Sequence, residues 1–190
     1  MTSHDDMSDA ELKQHWRDMV AREDVRDALE HVYAAAMRAI AERQPKCEAS
    51  GRCCRFEQYG HRLYVTGLEA AYTMMKLDAA RPVNGLATLQ SDTQAQRFVA
   101  RVSLPVLSSS ALQRARSEGG CPFQVDGLCS IHTIKPLACR TYFCDPTATE
   151  WQQDLTERLH AQITRIHTEY GVVYRYAEWR AMLEVLVSNM

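Results

Sequence analysis

Seven cysteines, divided between two stretches of the chain, are the residues whose type and spacing are best suited to chemistry. The first group is Cys47, Cys53 and Cys54, and the second is Cys121, Cys129, Cys139 and Cys144, with His132 among them. Thiolate and imidazole are the ligands that zinc and iron–sulfur clusters select in proteins. The pattern therefore predicts a metal or cluster site that draws on both groups.

The number of thiols leaves the nature of the cofactor open between zinc and an iron–sulfur cluster of the [4Fe-4S] type. Seven thiols and His132 suffice for two four-coordinate ions, or for one four-cysteine cluster with thiols to spare. Neighbouring side chains of an extended segment point to opposite faces, so Cys53 and Cys54 are expected either to bind different metals or to divide binding and packing between them. The Cys121-Pro122 step favours a cluster slightly. All seven thiols are candidate ligands for a cluster, and the candidate metal ligands are Cys47, Cys54, Cys121, Cys129, Cys139, Cys144 and His132.

Charged residues next to the cysteines are expected to support such a site. Arg52, Arg55 and Arg140 adjoin cysteines, where a guanidinium lowers thiol pKa values and offsets the charge of an anionic centre. Solvated surface positions or ion pairs are the plain alternative for these arginines. Asp145 follows Cys144 and is expected either to accept a hydrogen bond beside the site or to end a helix.

Composition predicts one ordinary globular domain across residues 1–190. At 190 residues the chain can bury a core without help from a metal, and its 46% hydrophobic and 24% charged residues are typical of such domains. The net charge of −2 gives no reason to expect a nucleic acid or an anionic membrane as partner. A protein partner cannot be named from the sequence.

The chain is expected to work in the cytoplasm, with its thiols reduced. No run approaches the roughly 20 apolar residues of a membrane span, and the acidic N-terminus does not resemble a signal peptide. The odd number of cysteines also argues against a closed disulfide framework.

Helices are predicted on both sides of the cysteine region. In the N-terminal part, 8–43, a capping box at Ser8–Glu11 opens one helix, and a second runs over 23–42 with Val25, Leu29, Val32, Ala36 and Ile40 on one stripe that Tyr33 and Met37 widen. In the C-terminal part, 147–190, a capping box at Thr147–Glu150 opens a helix that Gly171 ends. A last helix is predicted over 176–187. We expect Tyr174, Tyr176 and Trp179 to pack in the core, with a contact surface as the alternative.

The cysteine region itself, 44–146, reads as loops and short elements. A loop over 44–61 leads to a short strand over 62–66, and the capping box at Thr66–Glu69 opens a helix through about Lys76. Asp126-Gly127 predicts a tight hairpin that places Cys121 and Cys129 on adjacent strands, and Pro136 starts a short helix carrying Cys139. A helix is expected over 108–116, while 94–103 is compatible with helix or strand. The fold class is therefore mainly α with a small β-hairpin, a single compact α-helical domain wrapped around a cysteine-rich metal or cluster site.

Two blocks of residues resemble the YkgJ-like cysteine-cluster family, which is described as a zinc- or iron-chelating domain with a Cys-x-x-Cys-x-x-Cys-Cys signature. The first block is Cys47-x-x-Ser50-x-x-Cys53-Cys54-Arg55-Phe56, followed by Leu63-Tyr64-Val65-Thr66 and Glu69. The second comprises Cys121-Pro122-Phe123, Gly127-Leu128-Cys129-Ser130-Ile131-His132 and Lys135-Pro136-Leu137-Ala138-Cys139-Arg140-Thr141-Tyr142-Phe143-Cys144. The resemblance covers about 47–146 and implies metal chelation. Ser50 stands where the family has its second cysteine, so one ligand of the general pattern is replaced.

The leading hypothesis is a metal-binding cysteine-cluster protein whose biochemical role is unassigned. The alternatives are a metal-dependent modification enzyme, methyltransferase-like, and a metal storage or delivery protein. No phosphate-binding loop, dinucleotide fingerprint or nucleophile elbow is present to favour another enzyme class.

Overall fold

Local capping and apolar periodicity explain most elements of the computed structural model, which describes residues 7–80 and 106–187. This part of the chain is 63% helical, which confirms the mainly α fold class. Its helices are α1 (Asp9–Ala21), α2 (Glu23–Arg43), α3 (Gly67–Ala79), α4 (Ser109–Ser117), α5 (Leu137–Thr141), α6 (Thr149–Tyr170) and α7 (Trp179–Val187). Its strands are β1 (Tyr64–Thr66), β2 (Gln124–Val125), β3 (Leu128–Cys129) and β4 (Tyr176–Glu178).

Helix α1 begins directly after the predicted cap Ser8, and α2 covers the predicted range 23–42 to within one residue. The Ser8 hydroxyl accepts a hydrogen bond from the Glu11 amide, and the Glu11 carboxylate accepts one from the Ser8 amide, which completes a capping box. Helix α2 ends at Gln44, which adopts the left-handed conformation with φ of 50°. The expectation that Met37 widens the buried stripe of α2 is wrong, because its side chain is 51% exposed.

The chain folds back so that β1 and β4 pair as a two-stranded antiparallel sheet, with Val65 opposite Ala177. The predicted helix over 176–187 is therefore wrong in its first turn. Pairing with β1 holds Tyr176–Glu178 extended, and α7 begins only at Trp179. Tyr176 is 43% exposed, against the core position expected for it, and Tyr174 is likewise exposed, whereas Trp179 is fully buried as predicted.

The start of α6 corrects another prediction. The capping box expected at Thr147–Glu150 is absent, since α6 begins after Ala148 without any side-chain cap. Thr147 lies instead in a 3₁₀ turn, where its amide (2.9 Å) and its hydroxyl (2.7 Å) both donate to the Asp145 carboxylate. The Asp145 carboxylate accepts from both donors of Thr147, so the Thr147 hydroxyl does not cap α6. Gly171 ends α6 with φ of 68°, as predicted.

One cluster of buried side chains joins the N- and C-terminal helices across the described residues. Trp16 lies at its centre, fully buried, and its indole N–H donates to the Val173 carbonyl at 2.9 Å. A Cβ at Gly67 would lie 2.1 Å from the Trp16 ring, so only glycine allows α3 to start against α1. None of the helices described here is both long enough and apolar enough to cross a membrane. The ambiguous segment 94–103 falls outside the described residues.

Candidate metal centre

Backbone hydrogen bonds join the first cysteine loop to the second cysteine segment. The Cys121 amide donates to the Cys54 carbonyl at 2.8 Å, and the Glu57 amide donates to the Gly119 carbonyl at 2.9 Å. The side-chain amide of Gln124 also donates to the Gly51 carbonyl at 3.0 Å. These bonds bring residues some 70 positions apart in sequence into direct contact.

The second segment contains the predicted tight hairpin. Strands β2 and β3 pair antiparallel, with Gln124 opposite Cys129. Asp126 and Gly127 both have positive φ, 50° and 78°, as a two-residue turn of type I′ requires. The placement of Cys121 differs from the prediction, because Cys121 precedes β2 and does not lie on a strand of the hairpin.

Three thiols influence Cys54. Interactions with the thiols of Cys121, Cys129 and Cys53, and then burial, raise the pKa of Cys54 far above its ordinary value. Its interaction with Cys54 lowers the pKa of Cys53 to about 6, and the same interaction lowers the pKa of Cys129. The Cys54 thiol therefore keeps its proton, while Cys53 and Cys129 gain thiolate character, which is the reactive and metal-binding form.

Cys139 lies beside these four thiols, on α5. Burial raises the pKa of its thiol well above the ordinary value, and the neighbouring charges of Cys121 and Cys129 raise it further. Lys135 acts in the opposite direction on Cys139, and its cation also lowers the pKa values of Cys53 and Cys129. The sequence predicts that Arg52, Arg55 and Arg140 lower the thiol pKa values. It does not indicate Lys135, because this lysine is four residues from the nearest cysteine.

A buried carboxylate positions the helix that carries Cys139. Glu69 completes the capping box of α3 by accepting from the Thr66 amide at 2.9 Å, as predicted. Its other oxygen accepts from the Leu137 amide, also at 2.9 Å, at the first residue of α5. Glu69 is 1% exposed, and this burial raises its pKa. The capping motif predicted the first contact, but nothing local in the sequence indicates the second.

Cys47 and Cys144 lie near one another at the edge of the site, where Asp145 joins their loops. The Asp145 carboxylate accepts from the Lys46 amide at 3.0 Å, so it joins the residue before Cys47 to the residue after Cys144. Cys47 is exposed and Cys144 is partly buried. Burial raises the pKa of Tyr142, and the charges of Cys144 and Cys53 raise it further.

His132 and the three predicted arginines have different surroundings. His132 is exposed, and the charge of Lys135, then burial and Arg140, lower its pKa. The Arg140 guanidinium stacks on Tyr33 at 4.3 Å, and Arg52 approaches Glu48 at 4.0 Å. Arg55 lines a cleft next to Cys121.

His61 neighbours the site, although its spacing in the sequence does not indicate a ligand. Its Nε2 atom lies 3.3 Å from the Cys53 carbonyl oxygen, and its ring stacks on Tyr142 with the centroids 4.5 Å apart. These contacts support the backbone of the vicinal cysteine pair.

Across residues 7–80 and 106–187, no group of three or more His, Cys, Asp or Glu side chains is arranged so that it could hold a metal ion. Each of the seven cysteines is a free thiol. The backbone hydrogen bond between Cys54 and Cys121 brings the two cysteine groups together.

Comparisons with protein-family models, with curated proteins and with solved structures found no match for this chain. The resemblance to the YkgJ-like family therefore stays a prediction from the cysteine blocks.

Proposed function

We propose that this chain is a metal-binding cysteine-cluster protein of the YkgJ-like type, which holds zinc or an iron–sulfur cluster through its clustered thiols. The central ligands are Cys53, Cys54, Cys121, Cys129 and Cys139. Cys47, Cys144 and His132 lie further out as candidate ligands of a second ion. The cytoplasm, where thiols stay reduced, is the compartment that suits such a site.

The observation that carries this proposal is the backbone hydrogen bond of 2.8 Å from the Cys121 amide to the Cys54 carbonyl, which brings cysteines of both groups next to each other. Unmetallated thiols gain little from such crowding, because burial opposes the thiolate form and each sulfur is only a weak hydrogen-bond partner. A metal ion removes that cost by replacing the shared protons. Lys135 then offsets part of the negative charge of the thiolates.

Metal binding requires the sulfurs to turn toward one point. Sulfurs that surround one zinc at about 2.3 Å lie about 3.8 Å apart, which is close to the separation of hydrogen-bonded thiols. Turning the sulfurs toward one point costs on the order of 1 kcal/mol for each side chain. Structural zinc contributes about 10–16 kcal/mol at pH 7, so binding outweighs these rotations.

The choice of metal decides what chemistry the site supplies. Zinc would hold the loops together, and it would act as a Lewis acid only if one coordination position stays open. A cluster would carry electrons. The surplus of thiols and the Cys121-Pro122 step favour the cluster slightly. A modification enzyme or a delivery protein is the alternative, and the cleft beside Cys121 favours it because such roles require access to the metal.

The direct test is elemental analysis and a visible spectrum of anaerobically purified protein. We expect zinc without colour, or iron and sulfide with a broad absorption that dithionite bleaches. Cys54→Ser and Cys121→Ser should each lose most of the metal, while Ser50→Ala on the same loop should keep it. Metal-free wild-type protein that takes up neither zinc nor iron, or Cys54→Ser protein with full metal content, would contradict the proposal.

A further inference from the structure

Cys54 and Cys121 belong to different cysteine groups but lie on neighbouring stretches of backbone. The Cys121 amide donates to the Cys54 carbonyl at 2.8 Å. Residues joined by such a bond have Cα atoms about 5–6 Å apart, which is also the commonest separation of the two halves of a disulfide. Both side chains belong to the same buried cluster. The backbone therefore already holds this pair at the separation that a disulfide needs.

Only one member of the pair lines a cleft. Cys121 borders a cleft of about 230 Å³, whereas Cys54 is not part of its lining. A water molecule takes up about 30 Å³, so the cleft admits a molecule as small as hydrogen peroxide. Arg55 and Glu118 line the cleft with opposite charges, an arrangement that does not repel an uncharged reactant. A small oxidant in the cleft therefore meets Cys121 first, with Cys54 next to it on the neighbouring segment.

We infer that Cys54 and Cys121 form a peroxide-sensitive dithiol, in which peroxide oxidises Cys121 and Cys54 then closes a disulfide. The Cys121 sulfur attacks one peroxide oxygen, the O–O bond breaks, and the leaving oxygen takes up the thiol proton and departs as water. Arg55, which lines the same cleft, donates to that leaving oxygen. The Cys54 sulfur then attacks the sulfenic acid, the S–O bond breaks, and a second water carries away the Cys54 proton. The two thiols together transfer two electrons to the peroxide.

This inference does not require the proposed metal centre, because it depends only on the fold of the reduced chain. The two sulfurs are also candidate metal ligands, so disulfide formation and metal binding exclude each other at Cys54 and Cys121. In a reducing compartment a disulfide of this kind is transient and reports a change of redox state.

The test uses the reduced full-length protein, treated with a chelator and freed of reductant before hydrogen peroxide is added. We expect the wild type to lose two of its seven free thiols, and peptide mapping by mass spectrometry to find Cys54 joined to Cys121. Cys53→Ser and Cys129→Ser are the matched controls. They remove the other nearby thiols, and each should still form the disulfide.

Substitutions of the pair separate the two steps. Cys54→Ser should leave Cys121 as a sulfenic acid that dimedone labels, whereas Cys121→Ser should show neither the label nor the disulfide. Arg55→Gln should slow disulfide formation about tenfold, because the leaving oxygen loses a charge-assisted hydrogen bond. Arg52→Gln, on the same loop but outside the cleft, should react at the wild-type rate.

The connectivity in the wild type decides the proposal even if a cysteine variant does not fold. Wild-type protein that keeps all its thiols, or a disulfide that joins Cys53 to Cys54, overturns it. Equal rates for the wild type and Arg55→Gln overturn the cleft as the route of the peroxide. The expected disulfide in a protein that takes up no metal supports this inference and contradicts the metal centre, and metal uptake by a chain that forms no disulfide does the reverse.

Discussion

Glu69 shows how one side chain can serve two elements at once. One carboxylate oxygen accepts from the amide and the hydroxyl of Thr66, and the other accepts from the Leu137 amide at the start of α5. Because the carboxylate is buried, water cannot replace it as the acceptor if it is removed. The position of Cys139 on α5 therefore depends on a residue 70 positions earlier in the chain.

Glu69→Ala should lower the free energy of unfolding by about 3 kcal/mol, since each buried N–H left without an acceptor costs about 1–3 kcal/mol. It should also weaken metal binding, because α5 loses its cap. Urea unfolding and metal content measure the two effects. Glu11→Ala removes the equivalent capping-box carboxylate of α1, where the site is exposed and water takes its place. Equal destabilisation by the two substitutions would show that Glu69 is only an ordinary cap.

At the scale of elements, the decisive contact is the close approach of the first cysteine loop to the hairpin turn. Gly51 has φ of 68°, and a Cβ built there would lie 1.9 Å from the Gly127 carbonyl oxygen. That distance is far inside van der Waals contact with backbone, which cannot move aside as a flexible side chain can. The hairpin and the loop can therefore dock in this way only if residue 51 is glycine.

Gly51→Ala should separate the two cysteine groups. The left-handed conformation alone costs alanine about 1–2 kcal/mol, and the clash adds to it, so we expect a loss of at least about 3 kcal/mol in unfolding free energy. Metal affinity should fall with it. Gly60→Ala is the matched control, because Gly60 has φ of 64° with open space around the added Cβ, and it should cost only about 1 kcal/mol and keep the metal. Similar metal affinities in the two variants would contradict the docking role of Gly51.

Short-range patterns account for the elements that the sequence predicted correctly. The capping boxes at Ser8 and Thr66 and the turn at Asp126-Gly127 are interactions within four residues, so local sequence contains the information they need. The box predicted at Thr147 is wrong because Asp145, itself held by the distant Lys46, takes that hydroxyl. Pairings between distant segments produce no pattern in the nearby sequence, so the sequence does not predict them.

Contacts between distant segments, which local sequence does not indicate, also determine the β4 strand and the centre of the candidate site. Tyr176–Glu178 has a helix-compatible pattern and becomes a strand only because β1, over a hundred residues earlier, pairs with it. Cysteine spacing predicted which residues carry the chemistry. The central position of Cys54 among the thiols depends on a loop without periodicity, and no spacing rule indicates it.

At the scale of the whole molecule, a buried histidine makes the stability of the helical core depend on pH. His167 is 3% exposed at the end of α6, and its Nδ1 atom lies 3.2 Å from the Val172 carbonyl oxygen. Its Nε2 atom is buried without a hydrogen-bond partner among the described residues. Burial, with smaller contributions from the nearby His160 and His15, lowers the pKa of His167 to about 4. The folded chain therefore excludes a proton that the unfolded chain accepts.

This difference predicts a loss of stability in mild acid. Above pH 6.5 the histidine is neutral in both states and folding carries no proton penalty. As the pH falls from 6.5 toward 4, the unfolded state binds a proton and the folded state does not, so the free energy of unfolding decreases by about 3 kcal/mol and then levels off with respect to this group. Urea unfolding at pH 4, 5 and 6.5, at constant ionic strength, measures the decrease.

His167→Phe keeps the ring and removes the titration, so its stability should fall about 3 kcal/mol less than that of the wild type over the same interval, whatever its stability at pH 7. His31→Gln, at an exposed position of α2, is the matched control and should follow the wild type. Carboxylates elsewhere titrate in all three proteins and cancel in the comparison. Parallel pH profiles for wild type and His167→Phe would mean that the buried imidazole takes up its proton without unfolding, and that the surroundings of His167 do not exclude charge.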